Sequence, residues 1–402
     1  MRAICTLLAV LGVVRGKLVT IRTDAARLDV DGNYIDAHDG CIIAHNGMYF
    51  LYGEAYGNQT LATPYPWSAW PRLKVYTSPD LVHWTFRADP LPMIKGTLWI
   101  PNVVYVEKTQ TFVMWFGSGG WQTATSKDGI NFVPSGHGVF FSRFGAKGRT
   151  DGTGIFVDDD GVGYVAFASM PPGIDEPGHP SWPGHIAHGY GHIVSIEKLS
   201  PDLLTSTTIN VTGLFPDDFV ESPALFKRKG VYYLTYGSCC CGCQEGGGQV
   251  VFRADAIAGP WTRQRHADIN CNNATADICG GYSRRADNYD NLVYHAQWWG
   301  ASFIPLANGE TQTLFLGRRW LSGPHLPEGC FDICGNGPPL GHGNKAACQV
   351  GGEKYLMRSD HSVWYPVKFA ADGSILPFRR TPSYTLDLPD DILSGSPSPA
   401  PI

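Results

Sequence analysis

The residue best placed for acid chemistry is Glu221, which stands in the run Val220-Glu-Ser-Pro-Ala-Leu-Phe226. A carboxyl in such an apolar setting has its pKa lifted toward the range in which it can hand a proton to a poor leaving group near neutral pH. The plainer reading is a surface Glu at the start of a strand. Asp39, in Ile35-Asp-Ala-His-Asp-Gly40, and Asp151, in Arg149-Thr-Asp-Gly-Thr-Gly154, are two further carboxylates beside glycine. Asp-Gly is a common turn pair, so Asp39 also reads as a turn cap. Asp158, Asp159 and Asp160, just before Gly161, read as a tight hairpin turn and not as chemistry. His185, His188 and His192 have a spacing that suits a metal on a helix, but Gly184, Gly189 and Gly191 keep that stretch from staying helical, and a loop is expected. Neither a G-x-S-x-G elbow nor a G-x-x-x-x-G-K-[ST] phosphate loop occurs.

The elements that must position these residues are strands. A short run after a turn signal recurs five times, as Asn46–Tyr52, Gln110–Phe116, Gly161–Phe167, Gly230–Tyr236 and Gln312–Gly317, each rich in aromatic and β-branched residues. A second type, Val75–Asp80 leading to Trp84, Ala124–Asp128 leading to Phe132 and Phe252–Asp255 leading to Trp261, reads as an outer strand closed by a turn and an aromatic plug. Repeats about 50 to 80 residues apart, each of short strands, cannot bury an apolar face alone and stack radially. The expected fold is all-β, a five-bladed β-propeller; a β-sandwich or two sheet domains is the alternative. Forty-eight Gly and 29 Pro supply the turns that many connections require. Residues 170 to 192 read as a long surface loop.

With 43% hydrophobic and 17% charged residues the chain has material for a core, and a formal net charge of -5 with basic clusters no longer than pairs argues against nucleic acid as a partner. The apolar run Ile4 to Val14 is too short to cross a membrane and suits a secretory signal, with a buried first strand as the other reading. The expected division is a signal peptide over 1–16, a propeller catalytic domain over 17–390 and a Pro/Ser-rich tail over 391–402. Eleven cysteines, of which ten remain once Cys5 is cleaved away, suit disulfides in an oxidising compartment, though the cluster Cys239-Cys-Cys-Gly-Cys243 could also gather on a metal ion. Asn58, Asn210 and Asn273 begin glycosylation sequons. A secreted, monomeric glycoprotein with no membrane partner is expected.

Taken together, Ile35–Gly40 followed by Tyr49 to Glu54, Phe156-Val-Asp-Asp-Asp-Gly161, Val220–Phe226, His295-Ala-Gln297, Gly317-Arg-Arg-Trp320 and Val363–Phe369 resemble glycoside hydrolase family 43, in its exo-β-1,3-galactanase branch. The resemblance covers about residues 33 to 385. It implies a five-bladed propeller with the active site in its central funnel, hydrolysis of glycosidic bonds with inversion, a polysaccharide substrate and no required cofactor, while a structural calcium ion on the axis is compatible with the fold. It implies Glu221 as general acid, through the E-[AS]-P-A motif, and Asp39 as general base by its distance from the Tyr49 strand. An inverting base stands about 6.5 to 9.5 Å from the acid, leaving room for the attacking water. The galactanase branch reads A-H-G-G-G here, so Ala37-His-Asp-Gly40 combines features of both groups. Asp151 is the nearest match to the carboxylate that raises the acid's pKa, offset by one residue from the family spacing. Glu54, His38, Gln297, Trp99 and Trp121 are the expected substrate contacts, the tryptophans reading equally as core. Where the galactanases carry E-R-P-K, this chain has Ile100-Pro-Asn102. A galactan or arabinogalactan is therefore the expected substrate, with arabinan or xylan, or carbohydrate binding without catalysis, as alternatives.

Overall fold

The computed structural model describes residues 16–23, 25–59, 71–139, 141, 149–170, 192–211, 215–217, 220–238, 246–264, 293–323 and 355–390. Within them the chain is a five-bladed β-propeller, and the one helical element is a 3-10 turn, Met357–Ser359. Blade 1 is the meander β2 (His38–His45), β3 (Met48–Ala55), β4 (Arg72–Ser78) and β5 (Thr85–Ala88). Blade 2 is β6 (Trp99–Val106), β7 (Thr111–Gly117), β8 (Trp121–Ser126) and β9 (Val133–Val139). Blade 3 is β10 (Arg149–Val157), β11 (Gly163–Met170), β12 (His192–Leu199) and β13 (Ser206–Asn210), with β14 (Phe215–Asp217) also paired to β12. Blade 4 is β15 (Val220–Arg228), β16 (Val231–Ser238), β17 (Gln249–Ala254) and β18 (Thr262–Arg263). Blade 5 is β19 (Gln297–Pro305), β20 (Thr311–Arg319) and β21 (His361–Pro366). A ribbon of β1 (Gly16–Arg22) and β22 (Ser383–Pro389) joins the two ends of the described chain.

The first strands of the blades close the ring: β2 packs on β6, β6 on β10, β10 on β15, β15 on β19, and β19 returns to β2. The five recurring aromatic runs are the second strands β3, β7, β11, β16 and β20. They read as continuous apolar runs because both faces of every blade are buried, the pattern expected of a doubly covered sheet. On β3, Tyr49 and Leu51 enter the seam with blade 5, while Phe50 and Tyr52 enter the seam with blade 2. The core is accordingly five seams, one between each pair of neighbouring blades. The ribbon contributes Val19, Ile21, Leu386 and Leu388 to the seam between blades 5 and 1.

Two of the three expected aromatic plugs are buried, and the third, Trp261, is partly buried against the seam of blades 3 and 4. After β4 and β8, Asp80 and Asp128 accept backbone N–H bonds from the two residues that lie two and three positions ahead. The turn then delivers Trp84 and Phe132 to the core at 0% and 1% exposure. These strands are the third of each blade, so the outermost strands β5, β9, β13 and β18 are additional to the two types legible in the sequence. The turn at Asp158 is the expected hairpin: Asp158 N–H donates to Val162 O and Gly161 N–H to Asp158 O.

Candidate active site

Every first strand is bulged near its beginning. In blades 1, 2 and 4 the bulge is the same, two residues set against one: His38 pairs with Glu54, Trp99 with Gly117 and Glu221 with Gly237, and the ladder resumes three residues later. Asp39, Ile100, Gly152 and Ser222 each take a left-handed backbone there, with φ of 56°, 46°, 64° and 49°. The residue immediately ahead of each is His38, Trp99, Asp151 or Glu221. Four sequence-derived candidates from four blades therefore occupy one repeated position at the same end of the ring, because bulges re-aim a strand at the point where its pairing ends.

Two glycines make this possible. A Cβ on Gly40 would lie 2.0 Å from Tyr52 O, so no side chain fits where the blade 1 bulge folds onto β3. A Cβ on Gly152 would lie 2.1 Å from Ser222 N, which means the bulges of blades 3 and 4 touch backbone to backbone. That contact sets Asp151 and Glu221 on abutting turns.

Asp39 is not an open turn cap. Its carboxylate is fully covered, with 0% side-chain exposure, and Oδ2 accepts Arg318 Nη1 at 2.9 Å. Arg318 is equally buried; its Nε and Nη2 donate to Asp360 Oδ2 at 3.1 and 2.8 Å, and its guanidinium lies 3.7 Å from the Trp320 ring centre and 4.4 Å from that of Tyr56. Asp360 is itself held by the Tyr355 hydroxyl and by Ser322 N–H. Burial raises the Asp39 pKa to about 6, against the pull of Arg318 and with the Asp360 charge adding to the rise. Neither Arg318 nor Asp360 had a role in the sequence reading. The signal for Arg318 was the run Gly317-Arg-Arg-Trp320, in which one of two adjacent arginines is fully buried, and Asp360 had none.

Glu54 lies opposite His38 and is 4% exposed. Tyr56 OH donates to its Oε2 at 2.6 Å and Ile100 N–H to its Oε1 at 2.8 Å. The second bond joins blade 1 to blade 2 and holds a β-branched residue in a backbone conformation it rarely adopts. Burial, then the Asp39 charge, raises Glu54 to about 8, so it carries a proton at neutral pH. His38 is neutral, pushed below the ordinary imidazole value by burial and by the Arg318 charge. Gln297 Oε1 accepts Trp320 Nε1–H at 2.7 Å. Of the tryptophans, Trp99 is 36% exposed at the head of β6, whereas Trp121 is packed with Val139 and Phe141 between blades 2 and 3. The structure thus brings His38, Asp39, Glu54, Gln297, Trp99, Asp151 and Glu221 to the heads of the inner strands and their partners, and leaves Trp121 in the core.

Other expectations fall elsewhere. Cys41 on β2 carries a free thiol, its sulfur accepting Val103 N–H, and the remaining cysteines lie outside the described residues. Asn58 and Asn210 are exposed, and Asn273, the histidines His185 and His188, all of the expected signal 1–16 but Gly16, and the tail over 391–402 lie outside the described residues. Among the described residues no group of three or more His, Cys, Asp or Glu could hold a metal ion, and no helix is long and apolar enough to cross a membrane.

The family model "Glycosyl hydrolases family 43" matches residues 36–296. The arabinoxylan arabinofuranohydrolase of Bacillus subtilis (strain 168) is 25% identical over 246 residues, 54% of this chain and 47% of that protein, so the chain spans about half the length of that relative. The beta-D-galactofuranosidase xynD of Aspergillus niger is 23% identical over 305 residues, 69% of this chain and 78% of that one. An exo-beta-1,3-galactanase from Clostridium thermocellum superposes with a TM-score of 0.62 at 20% identity, covering 93% of this chain and 68% of that one; at such identity the likeness is one of fold.

Proposed function

This chain belongs to glycosyl hydrolases family 43, and from that membership we propose a secreted, inverting, exo-acting hydrolase of a β-1,3-galactan or arabinogalactan. The observation that carries the reading is the repeated bulge, which sets Asp151 and Glu221 on abutting turns at the end of the ring where Asp39 also stands. Glu221 donates its proton to the glycosidic oxygen as the bond to the anomeric carbon breaks. A water attacks that carbon from the opposite face and gives a proton to Asp39, which inverts the configuration. Asp151, next to Glu221 through the Gly152–Ser222 contact, keeps the acid protonated by like-charge proximity. Trp99 offers an exposed ring face for stacking on a sugar. The galactan assignment draws on the fold likeness to exo-beta-1,3-galactanases; secretion draws on the apolar run Ile4 to Val14 and the cysteine content.

The covered carboxylate of Asp39, bound to Arg318, favours a second reading, a propeller that binds carbohydrate without cleaving it, because a general base must reach the attacking water. Reducing-sugar release from β-1,3-galactan, arabinogalactan, arabinan and xylan by wild type and Glu221→Gln separates the two. Release of monosaccharide from a galactan, reduced about 10²-fold or more by the substitution, is expected, with an acid limb of kcat/KM near the Asp39 value of about 6. Binding with no release from any polymer would establish the second reading, and release from arabinan or xylan alone would move the substrate class.

A further inference from the structure

The bulges of blades 1 and 5 are neighbours, since β19 packs against β2. In β2 the ladder skips Asp39 and Gly40, and in β19 it skips Trp299. These skipped residues line one cavity, together with Leu316, Ser362 and Trp364, and the cavity has room for about one water molecule. Two side-chain polar atoms of these lining residues are buried without a partner. One is an acceptor, Asp39 Oδ1; the other is a donor, Trp299 Nε1. Trp299 is 6% exposed, and the Asp39 carboxylate is covered completely, so bulk solvent satisfies neither. A buried acceptor and a buried donor on residues that line one small cavity are the ordinary surroundings of an internal water, which needs two to four such partners.

We propose that a single water molecule occupies this cavity, accepting the Trp299 Nε1–H bond and donating to Asp39 Oδ1, and that Trp299 is thereby a positioning residue for Asp39. The consequence for catalysis rests on the reading of Asp39 as general base; the water site itself does not. A water that donates to the free oxygen stabilises the ionised carboxylate, as the single Arg318 Nη1–H bond does on the other oxygen. The ionisable groups around Asp39 are Arg318 on β20, Asp360 ahead of β21, Glu54 on β3, Tyr56 just beyond it and His38 beside it on β2. None of them is altered by a change at Trp299. Removing the indole N–H takes away the anchor that orients the water while leaving every charge in place.

The test combines a crystal structure of the full chain with the titration of Asp39, followed by ¹³C-carboxyl NMR with Asp39→Asn identifying the signal. The expected results are an ordered water within hydrogen-bond distance of both atoms in the wild type, and an upward shift of the Asp39 titration in Trp299→Phe, on the order of half a pH unit or more. On the active enzyme the acid limb of kcat/KM moves up by the same amount, because the base must be ionised to work; a purely structural defect lowers activity at every pH alike. An Asp39 titration that is the same in wild type and in folded Trp299→Phe overturns the proposal. So does a wild-type cavity without an ordered water, a result that decides the matter even if the variant fails to fold. Full activity in Asp39→Asn with the Trp299→Phe shift intact would remove the base assignment and leave the water site standing.

Discussion

Between blades 1 and 5, Arg318 stands between Asp39 and Asp360; between blades 3 and 4, Lys227 stands between Asp158 and Asp159. Both are clusters of two carboxylates and one cation, with comparable distances: 2.9 and 2.8 Å in the first, 2.9 and 2.7 Å in the second. Their effects on acidity are opposite. Around Arg318 all three side chains are at 0% exposure, and burial lifts Asp39 to about 6 despite the cation. Around Lys227 the Asp159 carboxyl is 51% exposed and Lys227 16%. There burial also pushes Asp158 up, but the Tyr232 hydroxyl, Lys227 and the Asp159 N–H outweigh it and hold its carboxyl below the usual range. The difference lies in the donors: Asp158, at 8% exposure, accepts from Tyr232, Lys227 and Asp159 N–H, whereas Asp39 accepts one bond from Arg318 and its other oxygen is unpaired, so only the first has its desolvation outweighed. The proposed chemistry calls for a carboxylate poised near neutrality, and the buried cluster is the one that stands at the end of the ring where that chemistry is proposed.

The sharpest way to break this comparison is to remove each cation in turn. Arg318→Met leaves two buried carboxylates facing one another and takes away the plane that lies over Trp320 and Tyr56, so a loss of about 3–5 kcal/mol in urea unfolding is expected. A loss under about 1 kcal/mol would mean that the two clusters are energetically alike and that burial is not what separates them.

How much of this could be read beforehand follows from the range of the interactions. The second strands were legible because each is announced by a local turn and is apolar on both faces, as in Gly230 to Tyr236, and the hairpin at Asp158 is fixed by its own four residues. The Arg318–Asp39 pair spans 279 positions, and nothing local marks which of two adjacent arginines turns inward. Asp39-Gly40 looked like a turn for a sound reason: Asp tolerates a left-handed backbone better than most residues, and φ is indeed 56°. It is a bulge within a strand because Gly40 lets the chain close onto Tyr52 O. The left-handed Ile100 could not have been anticipated at all, since its conformation is held by the side chain of Glu54 from another blade.

Glu54 gives a finer test, through pH. Its folded pKa of about 8 is above the ordinary 4.5, so the folded state holds a proton that the unfolded chain releases. The associated stability is fully present below about 4.5 and is lost as pH rises toward 8, with a slope of at most about 1.4 kcal/mol per unit. Glu54→Gln resembles the protonated acid in shape, and its amide oxygen can still accept Ile100 N–H. The variant should therefore gain on the wild type steadily between about pH 4.5 and 8, read as the difference in melting temperature. Parallel curves would show that Glu54 is ionised in the folded protein, and the buried end of the ring would then tolerate charge as readily as the hairpin end.

The smallest effect is expected from Lys227→Met. Its ammonium bonds one buried carboxylate and one that is half in water, so the pair with Asp159 contributes little and most of the loss comes from Asp158. Asp158 keeps its Tyr232 and Asp159 N–H partners after the change, and the methionine side chain can still lie against the Tyr232 ring, over which the ammonium now sits at 4.9 Å. A loss of about 1 kcal/mol or less is expected, shrinking further in high salt, where an exposed pair is screened. The sign with pH is the reverse of that at Glu54: Asp158 has a lowered folded pKa, so its contribution is present above the ordinary value of 3.8 and disappears as pH falls through the lowered one. Lys227→Met and wild type should therefore converge in acid. If the gap between them instead stayed constant from neutral pH into acid, the lysine would be acting through packing on Tyr232 and not through its charge, and the two clusters would differ in kind, not only in their exposure to water.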